Sequence, residues 1–201
     1  MIALNEMAGG IPIYQLKITL DDSKPPIWRR VLVRANMKLH RLHNVLQFTM
    51  GWTDSHLHQF IVKSGANIVY YGMPDPDFMP GWGSETLNEK RFVISDLLSA
   101  PKQKMKYEYD FGDGWSHQIV LEKILPPDAS FKHPVCVAGA NACPPEDCGG
   151  VWGYYDHFLE AINDPNHEEH QSMKDWIGRD KWDASEFDLA EVNACLKRLK
   201  A

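Results

Sequence analysis

An α+β domain is what this sequence predicts. Alternating apolar and polar segments fill much of its first 125 residues, apolar residues recur at helical spacing in its last quarter, and no long polar linker separates two cores. With 201 residues, 44% of them hydrophobic and 24% charged, the chain can bury one substantial core.

Tyr14, Leu16, Ile18 and Leu20 alternate with polar neighbours, and residues 27–34 alternate again. Two strands joined across Asp21 to Pro26 follow from that pattern. Asn36 is placed to cap a helix in which Leu39, Leu42, Val45, Leu46 and Met50 share a stripe, with Gly51 ending it. His58, Phe60 and Val62 mark a third strand, and the Gly, Pro and Asp content of residues 71–90 reads as a long loop. Tyr107, Tyr109 and Phe111 then share one face of a strand. Gly112, Asp113 and Gly114 offer a hairpin turn into a partner strand around residues 118–123. Helical spacing takes over in the runs from Trp152 to Ile162, His170 to Ile177 and Leu189 to Leu199, the last with Asp188 and Glu191 as a capping pair and Phe187 stapled on Val192.

The net charge of −6 argues against a protein whose main task is neutralising phosphates. The charge is uneven, however: residues 1–65 carry eight Lys or Arg against four Asp or Glu, and residues 145–191 carry three against thirteen. A basic N-terminal half could therefore meet nucleic acid, and the acidic end a protein partner. No signal-like or membrane-spanning run is evident, so the expected location is the cytoplasm, where four cysteines are more often free, metal-bound or reactive than paired.

Chemistry concentrates in three places. Cys136, Cys143 and Cys148 offer three thiolates for a structural zinc, with His117, His133 or a carboxylate as the fourth ligand, although the gaps lack the close pair of most zinc sites. The bland alternative is a proline-stiffened loop with small apolar side chains. If the third strand reaches back to residue 56, His56 and His58 share a face and can converge on Asp110, Asp113 and His117, the raw material of a metal hydrolase or an acid–base pair. Turn and sheet-edge hydrogen bonding would explain the same residues without catalysis. Trp28, Trp52, Trp82 and Trp115 lie near turns or strand ends, where a ring can stack on a base or sugar. His167 to His170 fails as a zincin motif, because the residue four beyond His167 is Gln171. Asp164-Pro165 reads instead as a helix cap with proline in the first turn, and the acidic residues after it suit the helix dipole.

Taken together, Pro26-Ile27-Trp28-Arg29-Arg30, Leu42-His43, Gly51-Trp52, His56-Leu57-His58-x-Phe60, Tyr109-Asp110-Phe111-Gly112-Asp113-x-Trp115-x-His117 and Cys143-Pro144-Pro145-Glu146-Asp147-Cys148-Gly149-Gly150 make a specific set. On these blocks the chain resembles the plasmid pRiA4b ORF-3-like family, from about Ile13 to about Leu196. The resemblance implies one α+β domain with a roll-like or mixed sheet and C-terminal helices, over residues 12–199 behind a flexible N-terminus of residues 1–11. It implies no activity. Some relatives carry a transposon-resolvase label that hints at mobile elements, but the residues here do not support it: the only serine before residue 50 is Ser23, in a turn, and His40 is followed three residues on by His43, not by arginine.

Two readings of function stay open. One is a binding or adaptor domain, with a structural zinc at the cysteines and Trp28, Arg29, Arg30, Trp52, Trp115, Glu146 and Asp147 as contact residues for a protein or, less directly, a nucleic acid. The other is a metal-assisted hydrolase using His56, His58, Asp110, Asp113 and His117. Convergence of those side chains in a cleft favours the second; splayed or buried side chains favour the first. Both assume that the glycine-tipped ribbon and the cysteine loop meet in space.

Overall fold

The alternating segments pair into a single sheet. The computed structural model describes residues 10–74 and 86–199, so Trp82 and most of the expected N-terminal arm lie outside the described residues. Within them eight strands form the sheet: β1 (Ile13–Leu20), β2 (Trp28–Arg34), β3 (His58–Ser64), β4 (Asn67–Gly72), β5 (Thr86–Asn88), β6 (Lys104–Tyr109), β7 (Trp115–Leu125) and β8 (Val135–Ala140). Their order is β5-β4-β3-β6-β7-β1-β2-β8, antiparallel throughout except for the β4–β5 pair. The fold is α+β with a mixed sheet, as the sequence predicts.

Period-2 patterning decides which face is covered. Tyr14, Leu16, Ile18 and Leu20 are at most 1% exposed, while Gln15, Lys17 and Thr19 between them stay partly open. That is the pattern of an antiparallel sheet with one face packed and one face wet. Helix α1 (Leu39–Met50) lies among the packed residues and buries Leu39, Leu42, His43, Val45 and Leu46. On the wet face Arg30 makes two hydrogen bonds with Glu122, at 2.6 and 2.9 Å, and Lys106 pairs with Asp21.

Several local expectations are corrected. Asn36 does not cap α1. Lys38 occupies the cap position without a side-chain bond, since its ammonium can only donate, and the Leu39 N–H goes to the Phe92 carbonyl at 3.2 Å. Gly51 ends the helix at φ 89°, as expected. The loop foreseen over residues 71–90 is structured in its described parts: β4 runs to Gly72, β5 pairs alongside it, and Glu89–Arg91 form a 3₁₀ turn. A short helix, α2 (Ile94–Leu97), follows. The ribbon turn has five residues between the paired Tyr109 and Trp115, with positive φ at Asp110 (54°) and Gly114 (70°) rather than at Asp113. Asp110 closes that turn, its Oδ1 accepting from Gly112 N at 2.9 Å.

The cysteine stretch begins as a strand, since β8 pairs with β2 along the edge of the sheet. Beyond it come α3 (Gly150–Gly153), a π-helical turn over Tyr154–Phe158, α4 (Leu159–Asn163), α5 (His170–Ile177) and α6 (Leu189–Leu196), which packs on β8 and α1. Asp188 caps α6 by accepting from Ala190 N and Glu191 N. Asp164 starts no helix; it caps a turn at Asn166, and α5 begins only at His170.

Candidate functional site

The ribbon tip and the cysteine loop do meet. Tyr109 donates its hydroxyl hydrogen to Glu146 Oε1, and Thr53 reaches Glu146 Oε2 through its backbone N (3.0 Å) and its hydroxyl (2.6 Å). Gly149 N donates to Asp113 Oδ2 at 3.2 Å, and Trp52 Nε1 to the Pro144 carbonyl at 3.0 Å. Gly150 passes so close to the ribbon that a Cβ there would stand 2.4 Å from the Asp113 carbonyl oxygen. These contacts fix the Pro144–Gly150 segment against one end of the sheet.

Beside that seam a closed hydrogen-bond ring holds a histidine. Gln47 Nε2 donates to the Tyr107 hydroxyl at 3.0 Å, and Asp54 N donates to Gln47 Oε1 at 2.9 Å. With its oxygen already accepting from Gln47, Tyr107 turns its own hydrogen to His43 Nδ1, 2.8 Å away. That leaves the His43 proton on Nε2, which donates to Asp54 Oδ1 at 2.7 Å. His43 is 3% exposed, and burial, reinforced by neighbouring His58, pulls its pKa down to about 4. It is neutral at pH 7.

The His58 ring lies flat against it, 3.5 Å between centroids and 6° between planes, and His58 Nε2 faces Glu89 Oε2 at 2.9 Å. Glu89 itself is 2% exposed on the 3₁₀ turn. Both imidazole–carboxylate pairs line a cavity of about 540 Å³, which also takes in His56 and the apolar side chains of Leu57, Met73 and Phe111. The ligand atoms of His43, Asp54 and His58 lie within 4.8 Å of one another. Imidazole lone pairs lie in the ring plane, so an ion placed between two near-parallel rings with centroids 3.5 Å apart would stand out of line with both lone pairs.

His56 stands at the seam, its Nε2 3.1 Å from Asp147 Oδ1 and 3.7 Å from Asp110 Oδ2. Of the catalytic candidates, then, His56, in the bend before β3, comes together with Asp110 at the seam, while His58 shares only the cavity wall with His56 and stands in the other cluster, with His43 and Asp54. Asp113 serves the Gly149 contact instead. His117 is fully buried on β7, edge-on to Trp52 at 5.3 Å and beside Tyr107, and burial lowers its pKa to about 4; it is a core histidine away from the cleft.

The other candidates separate. Cys136 is buried on β8, with its thiol donating to the Ala138 carbonyl at 3.4 Å; Cys143 is buried; Cys148 is half-buried, and burial pushes its thiol up to about 12. Among the described residues no cysteine belongs to a group of three ligand atoms within 4.8 Å, and neither His117 nor His133 joins one. Trp28, Arg29 and Arg30 do not form one contact face, because successive strand residues point to opposite sides. Arg29 is 3% exposed, donating to the carbonyls of Thr49, Trp28 and Ala140, whereas Trp28 lies under Lys17 and Arg30 on the wet face. Trp52 and Trp115 are core residues. Glu146 and Asp147 do reach the seam.

Sequence patterning missed His43, Asp54, Glu89 and Tyr107 as members of the site. For His43 a signal existed: it sits between Leu39, Leu42 and Leu46 on the apolar stripe of α1, where a polar ring needs partners.

A sequence profile described as plasmid pRiA4b ORF-3-like protein matches residues 12–191. The chain is 37% identical over 190 residues to an uncharacterised protein, y4hQ, of Sinorhizobium fredii, with 94% of this chain and 93% of that one covered. It is also similar to a solved structure, the protein of unknown function MM3350 from Methanosarcina mazei Go1, at a TM-score of 0.75 and 35% identity over 90% of this chain and 97% of that one. None of the described helices is long and apolar enough to cross a membrane.

Proposed function

The chain belongs to the plasmid pRiA4b ORF-3-like family, and on the geometry of its cleft we propose that it is an acid–base enzyme of hydrolytic type acting on a small polar substrate. One observation carries the reading: two stacked imidazoles, each hydrogen-bonded to its own carboxylate, on the wall of one cavity. Asp54 is the exposed end of the Gln47–Tyr107–His43 ring, its side chain 57% accessible, and is placed to take a proton from water or a substrate hydroxyl. His43 Nε2–H fixes the carboxylate orientation. His58, backed by the buried Glu89, is the second group that can hand on a proton.

The test is turnover of a panel of small esters, amides and phosphoesters by wild type and Asp54→Asn. Removing a general base of this kind costs roughly 10²–10⁴-fold in rate. Because the Asp54 side chain is largely exposed, the variant should keep the wild-type unfolding midpoint. Equal turnover by both proteins on every active substrate would reject Asp54 as the base.

The second reading is a binding or adaptor domain that retains its ligand unchanged. Its support is the apolar rim of the cleft, where Leu57 is 53%, Met73 50% and Phe111 38% exposed. Saturable binding of a panel member without conversion would favour it.

A further inference from the structure

At the seam between ribbon tip and cysteine loop, we propose a divalent-cation site formed by His56, Asp110 and Asp147. It uses none of the four groups of the stacked histidine pairs, so it stands whether or not the cleft turns over a substrate.

Three observations converge. The ligand atoms of the three residues lie within 4.8 Å of one another. Donors about 2.1 Å from a shared ion stand roughly 3.0–3.5 Å apart, close to the 3.1 and 3.7 Å that separate His56 Nε2 from Asp147 Oδ1 and Asp110 Oδ2. The Nε2 atom is shielded from solvent and makes a hydrogen bond with neither carboxylate, despite its approach to Asp147. A plain imidazolium–carboxylate pair would align its N–H on one oxygen; a nitrogen that faces two carboxylates without bonding either is arranged as a ligand is.

The surroundings hold the donors in place. Asp110 spends Oδ1 on Gly112 N, which leaves Oδ2 for the site. Asp110 and Asp147 both sit at positive φ, 54° and 61°, and Glu146, next to Asp147, is locked by Tyr109 and Thr53. Two carboxylates and one neutral imidazole supply a charge of −2. A mixed nitrogen and oxygen set of this kind suits a first-row ion such as Mn²⁺ or Zn²⁺ better than an ion held by oxygen alone. Open positions would be filled by water, beside a cleft that His56 itself lines.

Mn²⁺ titration of untagged protein, followed by loss of the free-ion paramagnetic resonance signal and by calorimetry, tests the site. The expected result is one Mn²⁺ per chain, displaced by Zn²⁺, with affinity at least tenfold lower in Asp147→Asn and in His56→Ala. Asparagine tolerates positive φ as well as aspartate does, and Asp147 is largely exposed, so Asp147→Asn should fold normally. Glu169→Gln, which disables the exposed group of His157, His167 and Glu169, should bind Mn²⁺ as wild type does. So should Asp54→Asn, which separates this site from the acid–base reading. No binding of either ion by wild type at millimolar concentration, or undiminished binding by Asp147→Asn, would overturn the proposal.

Discussion

The imidazole of His43 lies flat on that of His58, with 3.5 Å between ring centroids. Each ring also faces a different carboxylate, Asp54 or Glu89. A charge on His43 would be buried against that neighbouring ring, and burial already keeps His43 neutral at pH 7.

Acid should therefore unfold the protein in a defined window. Burial lowers both His43 and His117 to about 4, whereas unfolded histidine titrates near ~6.5. The unfolded chain thus binds more protons than the folded chain between those values, and stability falls as pH drops from ~6.5 toward 4. Each imidazole can contribute up to about 3 kcal/mol of this loss. Denaturant titrations at pH 7 and pH 4.5 measure it, and His117→Met, which removes one of the two groups, should narrow the gap between the two pH values. An unchanged gap would mean that His117 does not titrate on unfolding.

A second prediction concerns the clasp between ribbon and loop. Gly150 has φ 71°, and a Cβ on it would stand 2.4 Å from the Asp113 backbone oxygen, so Gly150→Ala must push the loop away from the tip. At Gly51 the φ is also positive, 89°, but the space is open. Gly51→Ala should cost about 1 kcal/mol from conformation alone, and Gly150→Ala roughly 2–4 kcal/mol. Thermal unfolding of the two variants separates steric from conformational cost. Equal shifts would show that the loop yields freely.

What was legible in the sequence was what local pattern controls. Tyr14 to Leu20 and Lys104 to Tyr109 alternate because one side of each strand is packed, and Gly51 marks the end of α1 because only a residue at ease with positive φ fits there. β8 escaped notice because Val135 to Ala140 has small residues and a cysteine where large apolar ones would signal burial. The site was only half legible. Spacing put His56 beside His58, but β3 begins only at His58; Asp54 comes from the loop after α1, held by Gln47, and Glu89 from the turn after the β4–β5 pairing, both in segments without period. The cysteines stood close in sequence, yet Cys136 is fixed by strand pairing opposite Val31 while Cys143 and Cys148 belong to the loop pinned on the ribbon.

Arg29 supports a third prediction. Its guanidinium is buried, and its Nε and Nη1 bonds go to carbonyls at 2.8 to 2.9 Å: Thr49 near the end of α1, Trp28 on its own strand and Ala140 on β8. The Phe187 ring covers it at 4.3 Å, and burial lowers its pKa, offset only by the nearby Cys143 and Cys136. The fork therefore ties two strands and a helix terminus together without a carboxylate. Lysine keeps the charge but offers one flexible ammonium in place of a planar fork, so Arg29→Lys leaves buried carbonyls unpaired. The expected loss is about 2–4 kcal/mol in a denaturant titration at pH 7. Arg29→Met, which removes the buried charge as well, should be no worse than Arg29→Lys. Wild-type stability in Arg29→Lys would show that the three carbonyl bonds hold nothing together.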